Sequence, residues 1–170
     1  MKEVNIKVNI PLRLKRVGFG IVGSDLPEPM PAAQSWRLYS AVEDGEEDEC
    51  QLRADMAKLE DKRDLKAAVQ AVTKLVRVAS LGDPLQVHYD EKQCHPLHRF
   101  HYRGKECVIW RIRKNSIRLP FYYGNGRLIF LTGALVKRKD KLTGAEQSTL
   151  EDQVKRYIDA EQADNLRMID

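Results

Sequence analysis

Apolar and polar positions change rhythm several times along the chain, and each change marks an element. Val4, Ile6, Val8 and Ile10 alternate with Asn5, Lys7 and Asn9, so residues 1–23 read as extended. Pro27, Pro29 and Pro31 then fix successive backbone angles and remove donors. That makes residues 24–34 a stiff connector and places a boundary at residue 34. Trp36 to Val42 reads as a strand with Trp36, Leu38 and Ser40 on one face. From Gln51 to Ser80 the period becomes helical. Leu52, Met56 and Leu59 form one stripe; Leu65, Ala68, Val69, Val72, Leu75, Val76 and Ala79 form a second. The charged run Glu60 to Asp64 separates the stripes, which predicts a helical hairpin, and Gly82-Asp83-Pro84 ends its second helix.

Residues 85–104 show no clear period and read as loop with some strand. Three strands follow, Cys107–Arg113, Ser116–Tyr123 and Arg127–Val136, joined at Lys114-Asn115 and at Gly124-Asn125-Gly126. Turns this short predict antiparallel pairing. In the second strand Ile117, Leu119, Phe121 and Tyr123 share one face, with Arg118 and Tyr122 on the other. Thr143 and Glu146 have the spacing of a capping box and open a helix with the stripe Leu150, Val154, Tyr157 and Ile158. The polar tail after Ala160 is expected to fray. The pattern predicts an α+β fold with helices on one face of an antiparallel sheet and the other face open. Residues 1–34 form an extension, 35–162 the main domain and 163–170 a tail.

Composition fits a soluble globular chain: of 170 residues, 42% are hydrophobic and 32% charged. No apolar run reaches membrane-spanning length, and the N-terminus lacks the apolar stretch of a secretion signal. Cys50, Cys94 and Cys107 are too few and odd in number for a disulfide framework. These features predict a cytoplasmic protein. The net charge of +4 hides a strong asymmetry: residues 97–141 carry 12 basic and 2 acidic side chains. A field of that kind attracts phosphates. The acidic run Glu43–Glu49 reads as a solvated loop leading to a helix N-terminus.

Gly18, Gly20 and Gly23 match a dinucleotide-binding spelling, but a proline-rich connector follows where that motif needs a helix. Cys94, His95, His98, His101 and Cys107 lack the spacing of a zinc knuckle, so no metal or other cofactor is expected. The constellation that points to chemistry is basic. Arg111, Arg113 and Lys114 lie on or just after one strand, with Arg118 across the hairpin and Lys137, Arg138 and Lys139 ending the third strand. Tyr122 shares the Arg118 face, and His98 and His101 lie upstream. Forked guanidinium donors suit phosphate, and aromatic rings can stack on bases. The competing reading is cross-strand charge that keeps a sheet edge soluble.

The runs Val108–Arg113 (VIWRIR), Ile117–Tyr123 (IRLPFYY) and Leu128–Thr143 (LIFLTGALVKRKDKLT) resemble the RelE/ParE toxin superfamily, closest to its HigB-like, phage-derived branch. The helical hairpin upstream agrees in place and length. The resemblance spans about residues 35–160 and implies a RelE-like fold, a helical hairpin packed on an antiparallel sheet with a C-terminal helix. It implies a type II toxin that cuts mRNA on the ribosome and is neutralised by an antitoxin, one with a helix-turn-helix. In that chemistry a ribose 2′-OH attacks the adjacent phosphate and leaves a cyclic phosphate and a 5′-OH. Arg118 matches the family's phosphate-gripping arginine, and Arg138 with Lys137 matches the cluster after the last strand. These three are the expected catalytic residues. Arg111, Arg113, Lys139, Tyr122, His98 and His101 are the expected RNA contacts. Relatives that carry a Tyr or His in the last helix have Leu150 as their counterpart here, so the acid and base remain unassigned, with His98, His101 and lysine as candidates. The other functions open to the sequence are a non-catalytic, gyrase-inhibiting toxin and a phage or plasmid regulatory binding module without catalysis.

Overall fold

The computed structural model describes residues 10–42, 49–138 and 141–170. Among them are eight strands and three α-helices: β1 Leu12–Arg16, β2 Arg37–Ala41, α1 Gln51–Ala57, α2 Lys62–Leu81, β3 Cys94–Tyr102, β4 Lys105–Lys114, β5 Ile117–Gly124, β6 Leu128–Leu131, β7 Leu135–Val136, α3 Gly144–Gln162 and β8 Leu166–Ile169. The protein is α+β. The alternation at Val4, Ile6 and Val8, the acidic positions 43–48 and Lys139 lie outside the described residues.

The expected helical hairpin is present. Asp61 caps α2, its carboxylate accepting from the Arg63 and Asp64 amides, and Gly82 ends it in the left-handed region at φ 79°. Both predicted hairpin turns are present, the first with Asn115 at φ 52°. The capping box of α3 is complete, with Thr143 and Glu146 each accepting from the other's backbone amide.

The sheet differs from the expected all-antiparallel meander. It runs β3-β4-β5-β6-β2-β1-β8, with β7 paired to β5. β2 lies parallel to β6, and β1 parallel to β8. The boundary expected at residue 34 falls inside this sheet, because β1 precedes it and pairs antiparallel with β2. Leu12 and Leu14 of β1 are buried in the core, which gives the segment before the proline connector its place. The tail does not fray: β8 pairs with β1 from Leu166 to Ile169. Residues 94–102, expected as loop with some strand, form the edge strand β3. Its period is hidden by Pro96 and by a register shift between Pro96 and His98. The single strand expected over 127–136 breaks at Thr132–Ala134, where the Asp55 carboxylate accepts from the Ala134 amide at 2.9 Å.

Both faces of the sheet are covered, not one. Val17, Leu38, Ile112, Ile117, Leu119, Phe121, Ile129 and Leu131 pack under α1 and α2. The alternate positions Leu14, Tyr39, Phe100, Ile109, Leu128 and Phe130 pack under Leu150, Val154, Tyr157 and Ile158 of α3. The face expected to be open therefore carries its own core. No helix among the described residues is long and apolar enough to cross a membrane.

Candidate nucleic-acid interface

Strand alternation and register decide which of the predicted residues meet. Arg113 lies directly across from Arg118, and Arg111 across from Pro120. Ile109 sits two residues before Arg111 and belongs to the core beneath α3, as does Tyr122 at its edge. Arg111, Arg113, Arg118 and Tyr122 therefore share the α3 face of the β4–β5 hairpin. Their side chains do different things. Arg118 is 4% exposed, and its Nη1 donates to the carbonyls of Asn115 (2.7 Å) and Ile117 (3.2 Å), bracing the turn from within. Arg111 is 7% exposed and donates to the Lys92 carbonyl at 3.1 Å, holding the loop before β3. Arg113 and Lys114 reach the surface at the end of the hairpin.

The cluster after β7 divides. Lys137 turns to α3, where Nζ donates to Glu146 Oε1 at 2.7 Å. Arg138, the next residue, turns to α2 and donates to Asp64 Oδ2 at 3.2 Å. Asp64 is buried in the first turn of α2 and also accepts from the Ser116 hydroxyl. Neighbouring residues leaving a strand point to opposite faces, so Arg138 does not join Arg118 in one pocket as expected. A cavity of about 280 Å³ borders the Lys137 side, lined by Leu135, Glu146 and Leu150 among others.

The two histidines also part. His98 Nε2 lies 2.7 Å from Glu151 Oε2 of α3, and Lys155 Nζ lies 3.7 Å from the other carboxylate oxygen. His98 faces α3, with its ring stacked toward Phe100. His101 is exposed, opposite Glu106 on the other face of β3 and β4. Alternation puts it away from His98 and the arginines, so the structure does not bring it into the site. His95, across from Arg111, has its imidazole pKa lowered first by burial and then by the Arg111 charge, with Glu91 opposing.

Tyr122 is not an open stacking platform. Its ring meets Tyr157 edge-on at 6.0 Å, and burial pushes its phenol up to about 12, with the Cys107 and Glu161 charges adding. It is a half-buried, neutral aromatic packed at the edge of the core beneath α3. Among the described residues, no group of three or more His, Cys, Asp or Glu is placed to hold a metal ion. Sequence reasoning missed the acidic partners Asp64, Glu146 and Glu151. Glu151 is 53 positions from His98, and no local spacing links them. No family model, curated protein or solved structure matches the chain.

Proposed function

We propose that this protein is the toxin of a type II toxin–antitoxin pair, RelE-like and of the HigB-like branch, that cuts mRNA on the ribosome. The observation carrying the reading is the register that sets Arg111, Arg113 and Arg118 on one face of a single hairpin, the face that also carries His98, across from Ile109 and held by the Glu151 carboxylate. The order of strand, helical hairpin, meander and helix agrees with the resemblance.

The roles differ from those the sequence suggested. Arg113 and Lys114, at the surface, meet the RNA backbone through charge-assisted bonds. Arg118 and Arg111 act as positioning residues, holding the hairpin turn and the Lys92 loop that frame the site. His98 is the base. Glu151 fixes its Nε2, which leaves Nδ1 to take the proton from the ribose 2′-OH. The 2′ oxygen bonds to phosphorus, the bond from phosphorus to O5′ breaks, and O5′ takes a proton from water. Products carry a 2′,3′-cyclic phosphate and a 5′-hydroxyl. Arg138 is a structural tether to Asp64, outside this chemistry.

A binding module that keeps the fold without catalysis is the second reading. It is favoured by the ties of Arg118 and Arg111 to backbone carbonyls, which occupy guanidinium donors that a phosphate would need. Induced expression with pulse-labelling separates the classes. The proposal requires protein synthesis to stop while DNA synthesis continues, and Arg113→Ala to relieve the arrest. Arrest of DNA synthesis with translation intact would assign the gyrase-inhibiting class instead. Unchanged arrest by a folded Arg113→Ala variant would overturn the proposed interface.

A further inference from the structure

The outer face of α2 has no part in the site above. At 100° per residue, Lys62, Leu65, Lys66, Val69, Gln70, Thr73, Lys74, Arg77 and Leu81 fall on one side of the helix. All are exposed or partly exposed, whereas the helix's only carboxylate, Asp64, is turned inward and buried. Lys62 and Lys66, and likewise Lys74 and Arg77, are like-charged neighbours one turn apart, an arrangement that costs a helix stability. Two carboxylates near its ends have partners of their own. Asp61 caps the helix, and Asp83 pairs with His88 at 2.9 Å.

Apolar side chains lie along the same side. Leu65 is 40% exposed, Leu81 49% and the neighbouring Val87 66%. A shallow groove of about 520 Å³ runs beside them, lined by Val69, Thr73, Lys74, Arg77, Leu81 and His88 among others. Lys74 is held above the groove by the Tyr89 ring, 4.2 Å from its centroid. An apolar line edged by cations that have no carboxylate partner among the described residues is the complement of an amphipathic helix with acidic flanks. A nucleic-acid backbone would match the cations but leave the leucines and Val69 uncovered.

We infer that the outer face of α2 is a docking groove for an acidic amphipathic helix of a partner protein. The helix lies along α2, sets a stripe of apolar residues at one-turn spacing along the line from Val69 to Leu81, and sets carboxylates against Lys74 and Arg77. This surface is on the side of the sheet opposite α3, so a partner seated here leaves the β4–β5 surface uncovered.

A displayed library of helical peptides, selected against the full chain, tests the inference. Enriched peptides are expected to carry apolar residues one turn apart, flanked by Asp or Glu. A synthetic peptide of the enriched sequence should lose about tenfold or more in affinity on a Lys74→Glu, Arg77→Glu variant. Reversing the peptide's acids to lysine should restore binding to that variant. Val69→Asp should weaken the peptide while thermal melting shows the fold retained. Failure to enrich any helix, enrichment without acidic residues, or affinity indifferent to the charge reversal would each overturn it. So would a single-stranded RNA oligonucleotide whose binding is lost with the same substitutions, since that would make the face a nucleic-acid surface.

Discussion

Replacing Tyr157 tests the three-layer arrangement that positions the β4–β5 surface. Tyr157 is fully buried, stacked on Phe130 at 4.8 Å and 16°, and its hydroxyl donates to Glu161. Gly124 presses so close that a Cβ there would meet the Tyr157 hydroxyl at 2.0 Å. Glu161 in turn accepts from the Asn125 amide in the β5–β6 turn. Truncating a buried aromatic to Ala costs about 3–5 kcal/mol, within which the ring pair accounts for about 0.5–1.5 kcal/mol. Glu161 can turn to solvent, so its lost bond adds little. A value near 4 kcal/mol corresponds to a fall in Tm of about 8–16 °C for a chain of this size. Tyr157→Phe keeps the ring and should lose only about 1 kcal/mol. Urea unfolding followed by circular dichroism gives both values from the midpoint and slope. A loss below about 1.5 kcal/mol for Tyr157→Ala, or equal losses for the two variants, would refute the packing of α3 on this face.

Other consequences are tested more simply. Asp64→Asn should cost about 1–3 kcal/mol, because the carboxylate is buried with Ser116 and Arg138 as partners. Arg138→Ala should cost less than about 1 kcal/mol in thermal melts, since that side chain is 67% exposed. The Glu146 carboxyl lies below its ordinary value of 4.5, first through the Lys137 ammonium and then through the Thr143 amide. A lowered pKa adds stability above pH 4.5 that is lost as pH falls through the folded value, so Glu146→Gln should flatten this acid limb in stability measured against pH. Burial pushes the Cys94 thiol up to about 11, and Cys50 and Cys107 are buried as well. Native protein should therefore react slowly with a thiol reagent near neutral pH and at all three cysteines once unfolded.

Much of the fold was legible where a single period ran unbroken. The α2 stripe, the Asn115 turn, the capping box at Thr143 and the division of β5 into Leu119 and Arg118 faces could all be read locally. The missing parts have separate causes. β3 carries Pro96 and a register shift, which erase the strand period. β8 is short, with Arg167 and Met168 outward, and it becomes a strand only because Leu12 to Lys15 lie beside it. The Leu150, Val154 and Tyr157 stripe gave α3 an apolar side without revealing which sheet face it covers. At the site, the sequence set Arg111, Arg113 and Arg118 on one hairpin, and the register puts them on one face, but Arg111 and Arg118 turn to backbone carbonyls and only Arg113 reaches the surface. The sequence grouped Lys137 with Arg138 by adjacency, whereas their acids, Glu146 and Asp64, lie on different helices and draw them apart. His98 and His101 likewise look alike in the sequence, whereas β3 turns them to opposite faces and only His98 meets Glu151.

The most direct measurement maps RNA ends in a purified translation reaction containing the wild-type protein, a folded His98→Gln variant or a folded Arg113→Ala variant. The account predicts breaks within ribosome-bound mRNA bearing a 2′,3′-cyclic phosphate and a 5′-hydroxyl, fewer with Arg113→Ala and about a hundredfold fewer with His98→Gln. Intact message with the wild-type protein, or equal cleavage by all three, would contradict it.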